Sequence, residues 1–149
     1  VFTAAADAWR TLLTLMIAGE GRDRLHDVCA EFDLSPTGLK AILLLSAGPQ
    51  SMRALADTFR WNPSFLTGVI DALEQRGAAR RVPHPTDRRV KIVELTPAGR
   101  TLLAQVQQSL WKPPSSFDAL SEEEQRQLAG LLAKVADRDS ELSAVLRSA

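Results

Sequence analysis

Two short groups of residues carry the chemistry that this sequence offers. One is Asp87-Arg88-Arg89, which follows Pro85-Thr86 and lies between two runs with strand character. A guanidinium at a hairpin tip suits a narrow, electronegative groove, because it is planar and always charged. The other is Ser64, Thr67 and Gly68, on the polar face of a helix pattern. Hydroxyls near the N-terminus of an exposed helix face can meet base edges or phosphates. Each group also has a plainer reading, as a solvated hairpin turn and as exposed helix positions that touch nothing. Enzyme chemistry finds no such foothold. The sequence has no Gly-rich phosphate loop, no nucleophile elbow and no paired-carboxylate signature. His26 and His84 lie far apart, with no Cys/His cluster around either. No catalytic residue, cofactor or metal site is therefore expected.

Those side chains need a scaffold, and the stretch Ser51–Gly99 holds its pattern. Asn62 is placed to cap a helix whose first residue is Pro63, where a missing N–H costs nothing. Trp61, just before the cap, can staple onto Leu66. Leu66, Val69, Ile70 and Leu73 recur at i, i+3, i+4 and i+7 and define a buried face. Ser64, Thr67, Gly68, Asp71 and Gln75 then fall opposite it. Phe65 sits between the faces, where core packing is expected ahead of a contact to a thymine methyl. Asp71 points outward and would repel phosphates unless an arginine, Arg88 or another nearby, pairs with it. Gly77 supplies the stop.

The preceding helix runs from Ser51 to about Phe59, so only Arg60, Trp61 and Asn62 separate the two. Two short helices joined so tightly form a helix-turn-helix. After Gly77, Ala78–His84 and Val90–Leu95 read as strands around Pro85–Arg89, a basic β-hairpin wing. Lys91, Val93 and Leu95 share one side of the second strand; Val90, Ile92 and Glu94 share the other.

The run Asp87-Arg88-Arg89, followed by Leu95-Thr96-Pro97-Ala98-Gly99, resembles the wing and following helix start of MarR-type regulators, whose pattern is D-x-R followed by L-T-x-x-G. Leu55-Ala56, Leu66-Thr67, Leu73-Glu74 and Gly77 resemble that family's helix-turn-helix. The resemblance extends over nearly the whole chain. It implies a single, mainly α domain with a small β-hairpin wing. The winged helix-turn-helix lobe would span 35–95, and N- and C-terminal dimerisation helices would occupy 1–34 and 96–149.

The function implied is a homodimeric, cytoplasmic, sequence-specific regulator of transcription, a repressor responsive to a small-molecule effector, that binds double-stranded DNA at a pseudo-palindromic operator. Arg89 would enter the minor groove beside Arg88, oriented by Asp87, while Ser64 and Thr67 read the major groove. Arg53, Arg60, Arg80 and Arg81 are further candidates for phosphate contacts. Gly68 departs from the family, which often has an arginine after the threonine. A glycine permits close backbone approach but removes a base-reading side chain. The resemblance places an effector pocket between the dimer helices and the DNA-binding lobe. Trp9, Met16, Leu43 and Trp111 are candidates to line it, each equally explained as core.

Two other readings stay open. One is a winged-helix protein-interaction module that has lost DNA binding, which Gly68 and the neutral net charge favour. The other is a thiol-based redox sensor at Cys29 on the same fold. Against the second, the reactive cysteine of the family's peroxide-sensing branch sits earlier in the first helix, near tyrosines. This chain has no Tyr, and Cys29 lies on an apolar stripe.

Composition bounds the rest. At 149 residues, 45% hydrophobic and 24% charged, the chain fits one soluble domain or one domain with an extension. No run approaches the roughly eighteen apolar residues of a membrane span, and no basic region precedes the apolar Trp9–Ala18 to make it a secretory signal. The chain begins at Val1 rather than Met, so further N-terminal residues are expected. A lone Cys allows no internal disulfide, which fits a reducing cytoplasm. Net charge is zero, but Arg60–Arg100 holds eight bases against four acids, and Asp118–Ala149 holds seven acids against four bases. A basic middle beside an acidic tail is the asymmetry of a chain with one phosphate-facing side.

The flanks are helical. Phe2–Phe32 carries one stripe at Trp9, Leu12, Leu13, Met16 and Ile17 and another at Leu25, Val28, Cys29 and Phe32, with a kink or fraying expected at Gly19-Glu20-Gly21. Ser35-Pro36 starts a helix through Leu45 that is apolar on most sides. Thr96-Pro97 starts another, with a stripe at Leu102, Leu103, Val106 and Leu110. Ser121–Glu124 reads as a capping box before a last helix with Leu128, Leu131, Leu132, Val135, Leu142, Val145 and Leu146. This is more apolar stripe than a small core absorbs, so a second subunit is expected to cover part of it.

Overall fold

The long N-terminal pattern is two helices, not one kinked helix. In the computed structural model, which describes residues 3–137, α1 (Ala4–Ala18) ends at Gly19 and α2 (Glu20–Glu31) begins at once. The Glu20 carboxylate ties this break to the segment that follows α6 in the chain. Its oxygens accept from the Ser115 hydroxyl at 2.6 Å and from the Ser115 N–H at 3.1 Å. Those two bonds hold the Glu20 carboxyl below the usual carboxylate range. Residues 115–119 form a short 3-10 turn.

The lobe between follows the expected caps. Ser35, Ser51, Asn62 and Thr96 each accept a backbone N–H through their side chains at the starts of α3 (Pro36–Leu45), α4 (Met52–Phe59), α5 (Pro63–Gln75) and α6 (Pro97–Leu110). Pro stands in the first turn of α3, α5 and α6, where its missing donor is harmless. Helix α3 lies at the centre. Leu39, Ala41 and Ile42 are almost wholly buried, and Leu55 of α4, Leu66 and Ile70 of α5, and Val106 of α6 close around them. Burying each of the large side chains contributes about 1.5–3 kcal/mol.

The sheet has one strand more than the sequence suggested. Strands β2 (Ala79–Pro83) and β3 (Lys91–Leu95) form the wing, and β1 (Gln50–Ser51) pairs antiparallel with β3, giving the order β1-β3-β2. Val93 and Leu95 face the core, as the alternation required. The wing therefore leaves the lobe from a three-stranded base.

The L-T-x-x-G run is the seam between wing and α6. Thr96 donates its N–H to the Ala78 carbonyl at 3.1 Å and its hydroxyl to the Gly77 carbonyl at 2.5 Å, while that hydroxyl accepts from the Gly99 N–H. A Cβ on Gly99 would lie 1.8 Å from the Ala78 carbonyl oxygen, so no side chain fits there. Gly77 has φ 73°, the left-handed stop that a residue without Cβ adopts at no steric cost.

Helices α1 and α7 (Glu122–Ala136) contain no buried residue. The capping box on α7 is present, with Ser121 and Glu124 bonding reciprocally. Trp9, Met16, Ile17, Leu131 and Val135 stand exposed along these helices. The expected continuation at Leu142, Val145 and Leu146 lies outside the described residues. Among those described, no helix is long and apolar enough to cross a membrane.

Candidate nucleic-acid interface

Helix α5 presents Ser64, Thr67 and Gly68 to solvent. The pattern that buries Leu66, Val69, Ile70 and Leu73 forces this, because their opposites can only face outward. Asn62 Oδ1 accepts the Ser64 N–H at 2.8 Å and pins the first turn. Thr67 donates its hydroxyl to the Pro63 carbonyl at 2.9 Å, which fixes its rotamer against the preceding turn. A Cβ at Gly68 would meet nothing within 4 Å. Gly68 is thus bare backbone on an open face, with no packing reason for the glycine.

Trp61, expected to staple onto Leu66, packs against the core that includes Leu66 and also organises an aromatic cluster. It stacks on Phe59 with ring centroids 4.2 Å apart and meets Phe65 edge-on at 5.4 Å. Phe65 is not a core residue: it is 48% exposed. Arg60 closes α4 in the left-handed region at φ 53° and is itself exposed.

The wing tip is built by Asp87. Its Oδ1 accepts the Arg89 backbone N–H at 3.0 Å, its carbonyl accepts the Val90 N–H at 3.0 Å, and His84 N–H donates to the Val90 carbonyl at 2.9 Å. The aspartate therefore sets the course of the backbone under Arg88 and Arg89, both exposed, rather than gripping a guanidinium.

The remaining arginines divide. Arg53 is fully solvated and only 3.8 Å from Asp57. Arg80 bonds Glu94 at 2.6 Å across the wing but stays largely exposed. Arg81, expected as a phosphate contact, has a different occupation. Its side chain is 23% exposed, and its Nη1 lies 2.7 Å from Asp71 Oδ1 and bonds Glu74 as well. Its Nη2 donates to the Thr67 carbonyl at 3.3 Å, and Glu74 Oε1 accepts the Arg81 N–H at 2.7 Å. So Arg81, not Arg88, neutralises Asp71, and it ties β2 to α5. Thr67 and Arg81 border a cleft of about 720 Å³ between α4, α5 and the sheet, with Met52, Arg53 and Lys91 on its other walls.

The candidates for an effector pocket separate too. Leu43 is buried in the core, whereas Trp9 and Trp111 are exposed. Met16 lines a cavity of about 420 Å³ at the α1–α2 break, with Leu12, Leu25 and Phe117. Cys29 is 7% exposed, and burial pushes its thiol up. A raised thiol carries little thiolate, the opposite of what a peroxide sensor requires.

Residues 36–91 match the model of the MarR family. A protein of Thauera aromatica, provisionally assigned as a transcriptional regulatory protein for the hcr operon, is 36% identical over 98 residues, 65% of this chain and 59% of that protein. The HTH-type transcriptional regulator MhqR of Bacillus subtilis is 32% identical over 82 residues, 54% of this chain and 57% of that protein. The chain thus spans less than two thirds of the length of the curated relatives that it matches. Among solved structures, wild-type MarR from E. coli superposes with TM-score 0.70 at 21% identity, over 91% of this chain and 98% of that one. The transcriptional repressor CouR bound to a 23-mer DNA duplex superposes with TM-score 0.62 at 28% identity, over 90% of this chain and 92% of that one.

Proposed function

We propose that the chain is a member of the MarR family, whose model residues 36–91 match, and that it is a homodimeric repressor of transcription that binds a pseudo-palindromic DNA duplex and responds to a small-molecule effector. In this reading residues 35–95 read DNA, and 1–34 with 96–149 hold the dimer. Ser64 and Thr67 meet the major groove, Arg89 and Arg88 the flanking minor groove, and Arg53, Arg60 and Arg80 the phosphates. The protein works in the cytoplasm and performs no enzymatic step.

The observation that carries the reading is the pairing of two exposed features on one rigid lobe. Helix α5 offers hydroxyls and bare backbone, and the wing offers two exposed arginines on a tip built by Asp87. A helix of this kind enters a major groove, and a basic tip suits the narrower groove beside it. The exposed apolar residues of α1 and α7 support a second subunit, since apolar faces of that extent need cover.

Selection of duplexes from a random pool tests the proposal. Two related half-sites, centred about one helical turn or roughly 34 Å apart, are expected. A lone asymmetric site would overturn the symmetric model, and no selected duplex at all would favour the protein-interaction reading. Sedimentation at micromolar concentration should give twice the mass of one chain.

A further inference from the structure

Phe65 is an exposed aromatic ring on a helix face otherwise made of hydroxyls and bare backbone. It lies at the third position of α5, in the N-terminal half from which recognition helices reach base edges. At about 100° per residue, the outward arc of α5 runs from Thr67 through Ser64 and Gly68 to Phe65. Phe65 and Gly68 are one turn apart and adjacent on the surface. A Cβ at Gly68 would meet nothing within 4 Å, so Gly68 leaves an open notch floored by helix backbone that the ring does not fill.

The ring is held rather than loose. Trp61 meets it edge-on at 5.4 Å and 85°, and Trp61 is itself stacked on Phe59. Trp61 and Phe59 pack on the core, so the cluster anchors Phe65 to the body of the lobe. An apolar side chain presented rigidly at a base-reading position costs free energy in water and recovers it only against an apolar partner. In the major groove of the four standard bases one such partner exists, the 5-methyl group of thymine.

We propose that Phe65, with the notch left by Gly68, is a specificity-determining contact for a thymine 5-methyl group in each half-site. This rests on the DNA-binding reading above and adds what that reading lacks, a named base preference carried by a side chain without hydrogen-bonding groups.

The test begins with the duplex selected by the full chain. Each thymine is replaced in turn by deoxyuridine, which deletes the methyl and leaves every hydrogen-bonding edge intact. At one or two positions per half-site the parent should lose roughly fourfold in affinity, the scale of one buried methyl-sized group. Phe65→Ala should bind the thymine duplex more weakly than the parent and should no longer distinguish thymine from uracil at those positions. Phe65→Leu, which keeps an apolar side chain, should retain part of the distinction. A parent indifferent to every replacement, or a folded Phe65→Ala that keeps the parent's thymine-to-uracil ratio, overturns the assignment. A change of sedimenting mass in Phe65→Ala with that ratio intact also overturns it, making the ring a contact between copies. Failure of the parent to select any duplex would instead remove the DNA-binding reading beneath it.

Discussion

Arg81 Nη1 lies 2.7 Å from Asp71 Oδ1, so a cation on the first wing strand is held by an anion on α5. The same guanidinium bonds Glu74 and reaches the carbonyl of Thr67. One side chain thereby removes a charge that would repel phosphates and fixes the angle between the two elements proposed to enter adjacent grooves.

Arg81→Gln should therefore weaken DNA binding without making its salt dependence shallower, because the lost group released no counterion. Denaturant melts should show a loss of about 1.5–3 kcal/mol, the range for hydrogen bonds to charged groups. A slope of log affinity on log salt lower by about one unit would instead mark Arg81 as a phosphate contact.

Arg89→Ala should behave differently. The residue is exposed, so the melting curve should not move. Affinity should fall by about 1–3 kcal/mol, and the salt slope should become shallower by up to about one unit. Thr67→Ala should change base preference at nearly constant slope. Both variants measured on one duplex across a salt series, with circular dichroism as the folding control, separate these outcomes. If Arg89→Ala binds like the parent, the wing is not a contact surface.

Gly99→Ala should damage the fold. Its Cβ would be driven to 1.8 Å from the Ala78 carbonyl oxygen, a backbone atom that cannot swing aside. Overpacking of this kind costs about 1–3 kcal/mol, and the loss should appear as a lower denaturation midpoint. An unchanged midpoint would mean that the seam can open without penalty.

Cys29 should react slowly with alkylating reagents in the folded protein and rapidly after unfolding. Burial raises the thiol above its ordinary value, which lies near 8.5 in an unfolded chain. The sign follows from proton binding. Above the unfolded value the folded state keeps the proton longer, so this contribution to stability is complete at lower pH and is lost as pH rises through the folded value. Rapid labelling of the native protein at neutral pH would reopen the thiol-sensor reading.

Much of the lobe was legible because it is written in local chemistry. Ser51, Asn62-Pro63, Thr96-Pro97 and Ser121–Glu124 announce helix starts through side chains that bond within three residues. The wing was legible from its turn residues. Strand β1 was not, since two residues carry no periodicity and Ser51 already served as a cap. The occupation of Arg81 was equally hidden, because its partners lie seven and ten positions back on another element and only the packing of β2 against α5 brings them together. Phe65 was ambiguous for a geometric reason: it falls on the boundary between faces, and the neighbour that turns it outward, Trp61, sits beyond the helix start.

The seam at Ala78 makes β2 and the first turn of α6 a single lever. Thr96 bonds the carbonyls on both sides of it and Gly99 lies hard against it, leaving no slack in which α6 could tilt alone. Strand β2 is five residues long, so at about 3.3 Å per residue its far end lies roughly 16 Å from this pivot, with the hairpin tip beyond it. A rotation of α6 by a few degrees is delivered there as a displacement of about an ångström, enough to seat or unseat a guanidinium in a groove.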